Sequence, residues 1–321
     1  MYKVQPGQQA AWLGFVDLDS MMLMRLISRG KRPDVDGPVA GSLLTRADLC
    51  TVQPRHLFEA EIRARCQAVT IDDQTVLCRM LGRYKLFVDS RDIGLAPHLM
   101  LDGYWEMWCT EFMLRLVRDG QVAVDVGANL GYYTVLLGEL VGPEGRVFAV
   151  EPNPRLSELC EKNIALNGFW HNTRLSSLAA SDRTGATLRF QARISDPKNG
   201  RILPDDAPFV AMAGLLDLSV RTTRLDDLVP GAADFIKIDV EGAEEQVWNG
   251  MQALLDRSPN VTVLMEFNAR RCSRPQQTLA EISDRFPLRE LGLDGVVRPL
   301  DPAVVLLRTE DTLLVLSRGA V

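Results

Sequence analysis

"VAVDVGANLGYYTVLLG", residues Val122–Gly138, is the stretch whose reading decides the fold. Its first five residues are apolar apart from Asp125 and read as a buried strand. A loop with Gly127 and Gly131 follows, and then the apolar start of a helix. A strand, a glycine-bearing turn and a helix in that order hold a cofactor at the carboxyl end of a parallel strand. A dinucleotide loop has the form G-x-G-x-x-G, and its middle glycine lets the backbone approach a pyrophosphate. Here the middle position is Asn129.

Working outward, short apolar runs at Val122–Val126, Arg146–Val150, Thr173–Ser177, Phe235–Asp239 and Val261–Phe267 alternate with helical stretches. That alternation predicts a doubly wound α/β fold, a mostly parallel sheet with helices on both faces. "LRELGLDGVVRPL" and "DTLLVLS" near the end read as two further strands with no helix between them, which predicts an antiparallel edge and seven strands in all. Upstream, "DLDSMMLMRLIS" and "PRHLFEAEIRARC" show helical spacing, and "QTVLCRMLGRYKLFVDS" reads as a hairpin around Gly82-Arg83. The stretch from Ala192 to Gly214 is rich in Pro, Gly and Asp and reads as a long loop.

Composition excludes several functions. The 321 residues carry 36 Lys plus Arg against 42 Asp plus Glu, a formal charge of −6, so the overall field repels nucleic acid. Cys50, Cys66, Cys78, Cys109, Cys160 and Cys272 form no C-x-x-C pair and have no histidine cluster beside them. Neither a zinc site nor a disulfide framework is indicated, and a reducing cytoplasmic setting is expected. "MMLMRLI" is too short to span a bilayer, so no membrane partner is expected.

The residues just after each strand point to the ligand. Asp125 would repel phosphates and attract an amino group, while the helix start beyond Gly131 suits a carboxylate. Glu151, in "VFAVEPNP" with Pro152 and Asn153, ends the second strand, where two carboxylate oxygens can accept from both hydroxyls of a ribose. Ser177, Leu178 and Ala179 follow the third strand and would lie near an adenine edge. An adenosine joined to an amino acid meets these demands, and S-adenosyl-L-methionine is such a cofactor. Read singly, Asp125 could merely cap a helix and Glu151 could be a solvated strand end.

These pieces, with "DFIKIDVEGAEEQVWNG" at Asp234–Gly250, resemble the FkbM-type methyltransferase family over roughly Gly103 to Phe267. The resemblance implies a class I methyltransferase fold, Rossmann-like. It also implies O-methylation of hydroxyls on sugars or secondary metabolites as the common activity, with methylation of amide or amine nitrogen, including that of a peptide, as the alternative. Asp125, Gly127, Ala128, Asn129, Gly131, Tyr132 and Glu151 carry over as cofactor contacts. The organisation expected is a helical extension over residues 1–70 serving substrate or dimer contacts, a hairpin and linker over 71–102, and the methyltransferase domain over 103–321. A glycoside or secondary metabolite is the expected partner, a homodimer is an option, and a cofactor-binding protein without catalysis is the least favoured reading.

Transfer to a hydroxyl needs a group that accepts the proton. His56, His98 and His171 lie at no expected strand end, so the candidates are Asp239 and Glu241 after the fourth strand and Glu266 at the end of the fifth. Adjacent strands would bring Asp239 and Glu266 to one rim, where proximity raises the proton affinity of one of them. A divalent cation there is an option that the acids permit without favouring. Lys237 alternates with Ile236 and Ile238 and reads as an ion-paired lysine, and Glu244 and Glu245 as dipole-favoured residues of a first helical turn. Trp105 and Glu106, ahead of the first strand, could cover the sulfonium as a lid.

Overall fold

The computed structural model describes residues 42–203 and 212–321. Helices Arg46–Cys50 and Arg55–Arg63 lead into a three-stranded antiparallel sheet of β1 (Ala68–Asp72), β2 (Thr75–Met80) and β3 (Tyr84–Asp89). The hairpin expected around Gly82-Arg83 is therefore β2–β3, with β1 added on its outer side. The helical reading at Asp17–Ser28 lies outside the described residues.

After helices Ala96–Leu101 and Met107–Leu116 come β4 (Val122–Val126), helix Tyr132–Leu140, β5 (Arg146–Val150), helix Pro154–Leu166 and β6 (Thr173–Ser176). A second small sheet follows, made of β7 (Ala179–Ala180), β8 (Thr187–Arg193), β9 (Asp196–Leu203) and β10 (Leu215–Thr223). The chain then returns through β11 (Phe235–Ile238), helices Glu244–Asn249 and Gln252–Asp256, β12 (Thr262–Phe267) and helix Pro275–Arg285. It closes with β13 (Leu288–Leu291), β14 (Val297–Pro299), helix Pro302–Leu307 and β15 (Thr312–Ser317).

The main sheet runs β14-β13-β15-β12-β11-β4-β5-β6. Strands β12, β11, β4, β5 and β6 are parallel, and β15, β13 and β14 form the antiparallel edge. It is a doubly wound, mostly parallel α/β sheet, with eight strands where seven were expected because the three-residue β14 adds to the edge. Alternate residues face opposite layers. Ala123, Val147, Phe235 and Leu264 meet helices Met107–Leu116 and Tyr132–Leu140, while Val124, Phe148, Ile236 and Val263 meet Trp248, Leu254 and Leu279. The chain progresses outward from β4 to β6 and then crosses back to β11 on the other side of β4. The β4/β11 boundary is thus the point where strand order reverses, the place at which open α/β sheets bind ligands.

Two expectations are corrected. The long loop at Ala192–Gly214 contains the β8–β9 turn, all of β9 and the approach to β10; residues 204–211 are outside the described set. Its Gly200 signalled a turn but is a packing residue, since a Cβ there would fall 2.3 Å from Phe190 Cζ. The segment between β14 and β15 is also helical over Pro302–Leu307, started by Asp301, whose side chain accepts from the Ala303 amide at 2.8 Å, and by Pro302 in the first turn.

The three-stranded sheet is tied to helix Pro154–Leu166 by polar groups. Asn163, fully buried, donates to the carbonyls of Phe87 (3.0 Å) and Leu130 (2.8 Å) and accepts from the Phe87 amide (2.7 Å). Beside it Asp89 pairs with Arg91 and Arg155. Burial raises the Asp89 carboxyl, but the two guanidiniums outweigh it and hold it down at about 2. Asn163→Leu would remove the side-chain partner of one buried and two part-buried backbone groups. Chemical denaturation should show a loss on the order of 3 kcal/mol; a loss below about 1 kcal/mol would mean that these bonds do not hold the sheet in place.

Candidate active site

The carboxyl ends of β4, β5, β11 and β12 open into a cleft of about 230 Å³. Its floor is the loop after β4. Gly127 adopts φ +81°, and a Cβ there would lie 1.8 Å from the Asp239 carbonyl oxygen, so glycine is required where this loop crosses the end of β11. Asn129 also takes a left-handed conformation, φ 52°. The loop amides are used internally: Gly127 and Ala128 donate to Val150 O, Asn129 to Glu151 Oε2, Leu130 to Asn129 Oδ1 and Gly131 to Ala128 O. The donors left for a ligand are those of the first helical turn from Tyr132 onward.

Gly127, Ala128, Asn129, Tyr132, Glu151, Pro152 and Ala179 line this cleft. Asp125, Gly131, Asn153, Ser177 and Leu178 do not. Asp125 is buried beneath the loop, where Thr134 Oγ1 donates to its Oδ2 at 2.6 Å, and its Oδ1 has no hydrogen-bond partner among the described residues. Gly131 (φ +95°) faces helix Pro154–Leu166, and a Cβ there would lie 2.9 Å from Cys160 Sγ. Asn153 caps that helix by accepting from the Arg155 amide, and Ser177 Oγ lies 2.5 Å from Ser157 Oγ. Glu151 is buried and accepts from the Asn129 and Asn153 amides at 2.8 Å each. Burial pushes its carboxyl up to about 7 in spite of those two bonds. A carboxylate so placed keeps further lone pairs, which can accept from a diol.

The acids after β11 and on β12 form the opposite wall. Oxygens of Asp239, Glu241 and Glu266 lie within 4.8 Å of one another. Lys237, buried on the central strand, places Nζ 3.0 Å from Asp239 Oδ2 and 4.7 Å from the Tyr133 ring centroid. Burial lowers the affinity of this ammonium for its proton, but Asp239, Asp125 and Glu106 outweigh that and hold it above the usual lysine value. Glu241 takes φ 52° and is pushed up to about 7, first by burial and then by Asp239. Glu266 is driven up to about 9 by burial and the neighbouring acids. Arg271 donates to Glu241 (2.7 Å), Glu266 (3.1 Å) and Asp311 (2.5 Å). Glu244 and Glu245 lie away from this wall: Glu244 accepts from the Gly242 amide, and Glu245 pairs with Arg274.

Trp105 and Glu106 line the cleft from the front. Glu106 has a left-handed backbone, φ 37°, and accepts from Tyr133 Oη at 2.8 Å; burial, then Asp239, raises its carboxyl. Pro197, Lys198, Asn199 and Ile202, within the Ala192–Gly214 stretch read as a long loop, face the cleft from the strand β9. Arg271 also faces it and was not anticipated, although it follows β12 closely enough that reading every charged residue beyond a strand end would have found it.

The fold and the cleft at its switch point are those of a doubly wound α/β protein that takes its ligand beyond the strand ends. The methyltransferase FkbM domain matches residues 125–292, just over half of the chain, and the chain belongs to that family. Among similar proteins is a protein-L-isoaspartate O-methyltransferase of Triticum aestivum, 29% identical over 153 residues that make up 47% of this chain and 58% of that one. A protein of the same name from Aeropyrum pernix is 46% identical over 59 residues, 18% of this chain and 23% of that one. The match thus spans less than two thirds of either relative. An O-methyltransferase of Streptomyces achromogenes involved in tomaymycin synthesis, solved with S-adenosylmethionine, aligns over 67% of this chain and 79% of that one at 13% identity, with a TM-score of 0.37. No described helix is long and apolar enough to cross a membrane.

Because no side chain fits at Gly127, Gly127→Ala must displace either the loop or the end of β11. Differential scanning calorimetry should show a lowered Tm, and titration with S-adenosylhomocysteine should show affinity reduced at least about tenfold. An unchanged Tm and unchanged affinity would mean that the two backbones do not meet as described.

Proposed function

We propose that the chain transfers the methyl group to a hydroxyl of a sugar or secondary metabolite and that Asp239 accepts the hydroxyl proton. The observation that carries this reading is the place of Asp239. Its carbonyl abuts the Gly127 loop, and its side chain, 31% exposed, reaches the cleft with Lys237 fixed behind it. S-adenosyl-L-methionine supplies an electrophilic methyl on a sulfonium. Of the residues that line the cleft, Glu151 would accept from the ribose hydroxyls, the Gly127–Asn129 loop and Tyr132 would border the cofactor, and Trp105 with Glu106 would cover its positive centre. Asp239 would orient the acceptor oxygen and take its proton as the methyl carbon exchanges its bond to sulfur for one to that oxygen.

The names of the isoaspartate relatives suggest a protein carboxylate as acceptor. The wall suits a neutral hydroxyl better, since Asp239, Glu241 and Glu266 offer carboxylate oxygens that accept from its O–H, a pairing that an ionised carboxylate acceptor lacks. Leu95 and the β8–β9 hairpin line the cleft beside the acids and are the elements through which acceptor choice would be expressed.

Incubation with S-adenosylmethionine and panels of glycosides, sugar nucleotides, amines and peptides, read by mass spectrometry, should give methyl ethers. Asp239→Asn should then lower turnover by about 10²–10⁴ with little change in cofactor affinity. Products methylated on nitrogen alone, formed equally fast by Asp239→Asn, would overturn the proposal. Cofactor binding should also depend on pH. Ribose hydroxyls donate to ionised Glu151, whose carboxyl titrates near 7 in the free protein, so binding releases a proton and tightens as pH rises. Calorimetric titration with S-adenosylhomocysteine should give a Kd about tenfold lower at pH 8 than at pH 6. Glu151→Gln should flatten the dependence, and a flat native profile would remove Glu151 from the ribose site.

A further inference from the structure

A divalent ion bound by several carboxylates brings two positive charges to one point, with oxygen bonds of about 2.0–2.6 Å. The oxygens of Asp239, Glu241 and Glu266, within 4.8 Å of one another, are spaced to lie across such an ion. The chain itself, however, carries two positive charges to these three acids. Lys237 Nζ holds Asp239 at 3.0 Å. Arg271 spans the other two, donating from Nη1 to Glu241 Oε2 at 2.7 Å and from Nη2 to Glu266 Oε1 at 3.1 Å. The rigid fork of a guanidinium suits a bridge between two separate carboxylates in a way that a point charge does not. Arg271 is also anchored from behind. Its Nη2 donates to Asp311 at 2.5 Å, its amide donates to the Asn268 carbonyl, and the Asn268 side chain in turn holds Asp311 at 2.9 Å.

We propose that Lys237 and Arg271 together take the place of a divalent cation at the active-site acids, so that methyl transfer needs no metal and Arg271 is the positioning residue for Glu241 and Glu266. The inference rests on Asp239 being the group that faces the acceptor, and it says what keeps the neighbouring acids ordered around it. Two consequences follow. The native cluster is closed to divalent ions because Lys237 and Arg271 already place positive charge between its acids, which a further cation would have to displace. Loss of Arg271 leaves Glu241 and Glu266 without their counter-charge at a spacing that an ion can bridge.

Free Mn2+, followed by its electron paramagnetic resonance signal, reports on the cluster without any acceptor. The native protein should leave the signal unchanged at micromolar Mn2+. Arg271→Gln and Arg271→Met should each bind one Mn2+ at least about tenfold more tightly than the native protein, and Glu266→Gln added to either should abolish that site. Arg271→Lys, which keeps the charge, should stay closed or nearly so. A native Mn2+ site that disappears in Glu266→Gln would overturn the inference, and this arm stands even if the Arg271 variants fail to fold. So would folded Arg271 variants that bind Mn2+ no better than the native protein. The Asp239→Asn turnover experiment fails or succeeds independently of these readings, so an error in the assignment of the base is separable from an error here.

Discussion

The ion pair between Lys237 and Asp239 is the interaction around which the catalytic half of the molecule is built. A lysine on the central strand of a doubly wound sheet is surrounded by packed layers, and an unpaired charge there would be prohibitively costly. Lys237 is tolerated because Asp239 meets its ammonium at 3.0 Å, Asp125 stands opposite it on β4, and the face of Tyr133 covers it. The dependence runs in both directions. Asp125 is buried with Thr134 as its hydrogen-bond donor among the described residues, Glu106 is bonded by Tyr133 and Cys109, and both are stabilised by the same positive charge of Lys237. Removing one partner of such a network leaves the rest as uncompensated charge, which costs more than the bond itself is worth.

This arrangement joins the two tasks of the site. The loop after β4 crosses the end of β11 so closely that Gly127 can carry no side chain, which places the proposed cofactor side and the proposed proton acceptor within one backbone crossing. On that proposal main chain and buried charge set the reaction geometry, as in-line transfer requires. The elements around the rim are more varied: the β8–β9 hairpin, and Trp105 and Glu106 ahead of the helix Met107–Leu116.

Much of the core was legible in the sequence because it is written in local patterns. The run from Val122 to Gly138 declares a strand, a glycine turn and a helix, and the acids Glu151, Asp239 and Glu266 each stand at or just beyond the end of an apolar strand. What escaped is non-local. Gly131 reads as space for a ligand, yet the atom it makes room for is Cys160 Sγ on the next helix. Asp125 reads as a ligand contact, yet its surroundings are Thr134 and the charge of Lys237, both brought there by folding. The strand β9 was hidden by Pro197, Asn199 and Gly200, whose propensities indicate a turn, whereas pairing with β8 and the Phe190 ring over Gly200 hold it extended. Arg271 was visible as a residue, but its role required knowing that three acids from separate segments converge on it.

The central claim is that cofactor and acceptor meet across the β4/β11 crossing, with Glu151 on one side and Asp239 on the other. The most direct measurement is a crystal structure of the protein with S-adenosylhomocysteine. The ribose hydroxyls should lie within hydrogen-bonding distance of Glu151, and the sulfur should face the open space in front of Asp239. A ligand whose ribose avoids Glu151, or whose sulfur points away from Asp239, would contradict it.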